Sequence, residues 1–142
     1  MGCDIHVFTE RREDDQWVCE QEVGPGEYSE DRSYLHTPHI GRNYSLFGVL
    51  ANVRTEHDLA TDPRGIPDDS AQEIRDEHDS WGWDAHSGTH YTRRELQELA
   101  TTLLLLTDEG SKYALSGIQE ILQTFPFDGE PNNQRFVIWF DN

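Results

Sequence analysis

The chain has 142 residues, with 28 acidic and 11 basic side chains and a net charge of −17. This length suits one domain, residues 1–142, with a core that needs no disulfide or metal staple. No basic stripe exists to hold nucleic acid directly, and no run of about 18 apolar residues exists to cross a membrane.

Ten of the basic residues are arginine, and Lys112 is the single lysine. Carboxylates are spread along the whole chain rather than gathered in a tail. A surface of this kind repels itself little in molar salt, where the Debye length is ~3 Å. A rival explanation is an acidic mimic of DNA that occupies a nucleic-acid-binding enzyme. The start lacks the basic and apolar regions of a secretory signal, so a cytoplasmic location is expected.

The opening "CDIHVFTE" alternates, with Cys3, Ile5, Val7 and Thr9 on one face and Asp4, His6, Phe8 and Glu10 on the other. "QWVCEQEV" follows a charged turn as a second strand. A hairpin of these two is expected to set Glu10 opposite Trp17 and Cys19 opposite Phe8. Cys3 then lies too far along the ladder to meet Cys19, and both thiols are expected to be reduced. Residues 24–41 read as an irregular loop, long enough for function. His36 and His39 within it receive no role.

A helix is predicted over "RNYSLFGVLANVR", with Tyr44, Phe47, Leu50 and Ala51 on one side. "TEHDLATDPRGIPDDS" is a loop. A second helix is predicted in "DDSAQEIRDEHDSW", where Ala71, Ile74, His78 and Trp81 recur at helical spacing and Asp68 or Asp69 is the candidate cap. His78 reads as a packed core histidine, and Trp81 as packing. "WGWDAHSGTH" breaks the pattern. Thr92 and Glu95 form a capping box for a third helix with the stripe Leu96, Leu99, Leu103 and Leu106, ended by Gly110. A fourth helix, about 111–125, carries Leu115, Ile118, Leu122 and Phe125. The final "RFVIWFDN" is apolar on both faces, which argues for a central or covered strand. Together these predict an α+β fold: a small antiparallel sheet that includes the N-terminal hairpin and the C-terminal strand, covered by about four helices.

Two D-x-H pairs stand out. Asp4 and His6 share a strand face, and Asp84 and His86 repeat the spacing beside Ser87 and His90. Carboxylate and imidazole together suit a divalent transition metal or an oriented general base. Candidate metal ligands are Asp4, His6, Asp84, His86 and His90. Candidate catalytic groups are His6, His86 and Asp84. The bland alternative keeps His6 on a solvated edge and Asp84 as a turn cap. Cys3 alternates away from Asp4 and His6 and reads as a small buried side chain. Arg42, Asn43 and Tyr44 enter the first helix, where Arg42 and free N–H groups suit an anion. Trp83 is a candidate stacking surface.

"MGCDIH", "RNYSLF", "LANVR", "RGIPDDS" and "WGWDAHSGTHYT" together resemble a family of small proteins encoded by tailed viruses of prokaryotes. The acidic composition resembles that of proteins from salt-loving archaea and their viruses. The resemblance carries Cys3, Asp4 and His6, then Arg42, Asn43 and Tyr44, then Asp84, His86 and Ser87. Gly88 departs from it, because the pattern has a second histidine there, and Thr89 stands where it has serine. It implies a viral accessory protein in the host cytoplasm but no established activity. The expected function is binding of a small anionic, nucleotide-like ligand, with Asp4, His6, Arg42, Asn43, Tyr44, Trp83, Asp84, His86 and Ser87 as contacts, as a means of sequestering a host defence signal. The alternatives are a metal-dependent hydrolase or nucleotide-modifying enzyme, a DNA mimic, and a minor virion component.

Overall fold

The computed structural model describes residues 2–25, 33–54 and 57–141. Strands β1 (Asp4–Glu13), β2 (Gln16–Cys19), β5 (His86–Thr92) and β6 (Gln134–Asp141) form one sheet, ordered β2-β1-β6-β5. Every pairing in it is antiparallel. The architecture is α+β, with the N-terminal hairpin and the C-terminal strand in one sheet as the sequence predicts. β6 is central because its residues are apolar on both sides, and neighbours flank it on both edges.

Two cores lie on the two faces. Ile5, Val7, Phe136, Ile138 and Phe140 meet the helices α1 (Tyr44–Ala51), α3 (Arg93–Leu104) and α4 (Glu109–Thr124). On the other face Phe8, Val137 and Trp139 meet Ile74 of α2 (Gln72–Ser80) and Leu35. The helices therefore divide between the faces rather than covering one.

The hairpin register differs from expectation. Arg12, not Glu10, lies opposite Trp17, and Glu10 lies opposite Cys19. The cause is a two-residue turn at Asp14 and Asp15, whose φ angles of 49° and 64° match the right-handed twist of the flanking strands. Both cysteines are free. The stretch 24–41 is not wholly irregular: β3 (Val23–Pro25) pairs with β4 (Ser33–Leu35), while its residues 26–32 lie outside the described residues.

Helix ends also correct the reading. Neither Asp68 nor Asp69 caps α2, whose N-cap is Ala71 with no side-chain bond of its own. The Ala71 N–H instead donates to Glu10 Oε2 at 2.5 Å, and Asp69 pairs with Arg135. The Thr92–Glu95 capping box is present. Helix α3 stops at Leu104, ahead of Gly110, so Leu106 leaves the buried stripe. Gly110 belongs to the first turn of α4, where Asp108 accepts from the Ser111 N–H.

"WGWDAHSGTH" holds an unforeseen strand, β5. Its outer edge is covered by the "RGIP" segment: Gly65 N–H donates to the Gly88 carbonyl at 2.8 Å, and Arg64 N–H donates to Thr89 Oγ1 at 3.1 Å. Gly88 lets this cover pack closely, since a Cβ there would lie 2.8 Å from Ile66 Cδ1 and that side chain would have to shift. Among the described residues, no helix is long and apolar enough to cross a membrane.

Candidate functional site

The site is set by the register of β1 against β6. Asp4 lies opposite Asp141, and His6 opposite Trp139. His6 points to the α2 side, where Nε2 donates to the Asp141 carboxylate. The Trp81 ring lies against His6, with centroids 4.4 Å apart, and Trp139 extends the contact at 6.2 Å. Phe8 stacks on Trp139 at 4.8 Å, and His78 meets its edge at 5.2 Å, so that histidine packs as read but lies half-buried at the margin of the core rather than within it. An ionised carboxylate only accepts, so the bonded Nε2 carries the proton and a neutral His6 presents Nδ1 as an acceptor. Among the described residues, nothing bonds that Nδ1.

Two clefts meet at this imidazole. The larger, about 380 Å³, is lined by His6, Phe8, Tyr34, Leu35, His36, Thr37, Glu77 and Trp81. The smaller, about 170 Å³, is lined by Asp4, Ile5, His6, Thr37, Pro38 and His39. Thr37 anchors their shared wall by donating to the Val7 carbonyl.

Asp4 is bound by Arg42, whose Nε donates to Oδ1 at 2.8 Å. That hydrogen bond holds the Asp4 carboxyl below its usual range. Gly2 makes room for the guanidinium, because a Cβ there would fall 2.2 Å from Arg42 Nη1. The Tyr44 hydroxyl accepts from Cys3 N–H at 3.3 Å. Cys3 is fully buried, and burial pushes its thiol up, which disfavours the nucleophilic thiolate. The motif residues Gly2, Cys3, Asp4, His6, Arg42 and Tyr44 thus form one connected end of the sheet.

The second D-x-H pair does not join them. His86 lies opposite Phe140 and stacks on it at 6.3 Å. Phe140 belongs to the three-helix core, so His86 and His6 are on opposite faces of the sheet. A bulge between His86 and Thr89 sets this direction, with Ser87 at φ 55° and its Oγ 3.0 Å from His86 Nδ1. His86 Nε2 is buried with no hydrogen-bond partner among the described residues. Asp84 and Trp83 are exposed, in the short 3-10 turn Gly82–Asp84. His90 is on the His6 face, opposite Val137, but its Nδ1 is bonded to the Gly65 carbonyl. Among the described residues, no three His, Cys, Asp or Glu side chains gather as a metal-binding group. Asn43 has a structural role. It caps Leu46 N–H at 3.0 Å and donates to the Tyr113 carbonyl at 2.8 Å, tying α1 to α4.

A Ser–His–Asp cluster elsewhere is not a catalytic triad. Leu59 N–H donates to His57 Nδ1, which leaves Nε2 as the donor to Ser111 Oγ at 3.0 Å. The Ser111 hydroxyl then donates to Asp108 Oδ1 at 2.7 Å. The imidazole donates to the serine oxygen instead of accepting its proton, the hydroxyl proton is directed to Asp108, and Ser111 is fully buried.

Sequence reasoning missed Asp141, Tyr34, Thr37 and Glu77, and it read Trp81 as packing alone. For Asp141 a signal exists, since it continues the Val137–Trp139 face of the last strand. No protein family, curated protein or solved structure matches this chain.

Proposed function

We propose that the protein binds a small anionic, nucleotide-like ligand across the two clefts that meet at His6, and releases it unchanged. The observation that carries this is the His6 ring: Trp81 and Asp141 fix it, and its Nδ1 is left for a ligand. A planar base fits the larger cleft, against Trp81 and Tyr34. The charged end extends past His39 and Asp4 towards Arg42, which exchanges Asp4 for the ligand's anion. The resemblance to viral accessory proteins makes capture of a host nucleotide signal the corresponding role.

A second reading is favoured by the same His6–Asp141 pair, which is how an enzyme orients a general base. It lacks a partner group: among the described residues no hydroxyl or thiol is hydrogen-bonded to His6. Calorimetry against a nucleotide library, including cyclic and ADP-ribose-type species, tests both. Mass spectrometry of the ligand recovered after denaturation distinguishes them. Stoichiometric binding, intact ligand and loss of affinity in His6→Ala support the binder. Repeated turnover abolished in His6→Ala establishes the enzyme instead, and absence of binding by any species overturns the reading.

A further inference from the structure

We infer that the groove between α2 and the β3–β4 pair is a docking surface for an arginine-bearing segment of a partner protein. The groove encloses about 240 Å³. Its floor is apolar: Val23 lies opposite Leu35 in the strand pair, with Tyr34 beside them. Val23 is 57% exposed, so the floor presents an apolar side chain to an occupant.

The lip selects the occupant. Glu73, Asp76 and Glu77 stand at i, i+3 and i+4 on α2, so they share one helix face. Glu77 is held in place there, since its Oε1 accepts from Leu35 N–H at 3.1 Å and its Oε2 from Ser80 Oγ at 3.2 Å. Among the described residues, none of the three carboxylates meets an arginine or lysine. Elsewhere the scarce arginines do pair, as Arg42 with Asp4, Arg64 with Glu95, and Arg94 with Glu130. Three like charges on adjacent helix positions repel one another, and an incoming cation relieves that.

An arginine side chain matches both halves of the groove. Its methylene stem covers Val23, and its planar fork reaches two carboxylates at once. A phosphate backbone is repelled by the same lip, so nucleic acid is the wrong partner. The groove shares Tyr34, Leu35 and Glu77 with the larger cleft at His6, yet the inference does not depend on a ligand there.

The test is fluorescence anisotropy with a fluorescein-labelled, end-capped Leu-Arg-Leu-Arg-Leu peptide in about 0.15 M KCl, where the Debye length is ~8 Å. The paired substitution Glu73→Gln with Asp76→Asn is expected to weaken binding roughly tenfold, equivalent to one decade in Kd. Val23→Ser weakens it independently through the floor. The charge-matched control, Glu98→Gln with Glu109→Gln on the three-helix side, leaves binding within about twofold. Circular dichroism confirms that each variant is folded. Equal losses in the two pairs would show attraction to diffuse charge and overturn the inference. So would an unchanged affinity in Val23→Ser, or no saturable binding by the unmodified protein.

Discussion

Glu10 is fully buried, and its carboxylate joins three parts of the fold. Oε1 accepts from Arg135 Nε at 2.8 Å, with Nη2 2.7 Å away. Oε2 accepts from Ser70 Oγ at 3.0 Å and from Ala71 N–H at the start of α2. Glu10→Gln keeps the shape but removes the charge. The amide oxygen still accepts from Arg135, whereas the NH2 faces the Ala71 N–H, donor against donor. Breaking a buried pair in this way costs about 3–5 kcal/mol. Arg135 keeps Asp69 at 2.9 Å and the Trp17 ring at 4.2 Å, which places the loss near the lower figure. Against a usual domain stability of about 5–15 kcal/mol, that is a large fraction. The thermal midpoint then falls by roughly 6–12 °C, at about 2–4 °C per kcal/mol. Urea unfolding followed by circular dichroism in constant KCl measures the change. The double substitution Glu10→Leu with Arg135→Met removes both charges and is expected to cost less than the sum of the single changes. A Glu10→Gln loss below about 1 kcal/mol, or simple additivity in the double variant, would refute this account of the buried pair.

Three further outcomes are expected. The thermal midpoint rises between low and molar KCl, because self-repulsion in a −17 chain is screened there; a flat response would remove that explanation. In molar KCl, acid destabilises the fold. Asp4 is held below its usual range by Arg42; Glu95 is too, since Thr92 N–H and Arg64 outweigh the upward push of its burial; and Ser111 does the same for Asp108. The unfolded chain therefore takes up these protons first, so their stabilisation is complete above the ordinary carboxylate pKa of ~4 and is lost as pH falls through the folded-state values. A urea midpoint that stays level or rises on acidification from pH ~5 would contradict this linkage. Finally, Thr92→Ala removes the capping box of α3 and costs about 1 kcal/mol in the same urea assay, and no change would show the cap to be idle.

The sequence by itself determined features whose causes lie within a few residues. The Thr92–Glu95 capping box closes between neighbours three apart, so its chemistry is visible without a fold. The two apolar faces of 136–140 require cover on both sides, which forces that strand into the centre. Strand β5 was hidden because "HSGTH" has no apolar alternation, and it gains its place from β6 and the "RGIP" cover. The cap of α2 was hidden because Glu10 lies 61 positions from Ala71. At the site, Asp4 and His6 were legible as a shared strand face, but Asp141, 135 positions from His6, was not. The matched D-x-H spacings suggested a convergence that the sheet forbids, since the bulge turns His86 towards Phe140. Spacing states which residues can share a side. Register and bulges decide which side it is, because a one-residue shift in a strand carries every side chain to the opposite face.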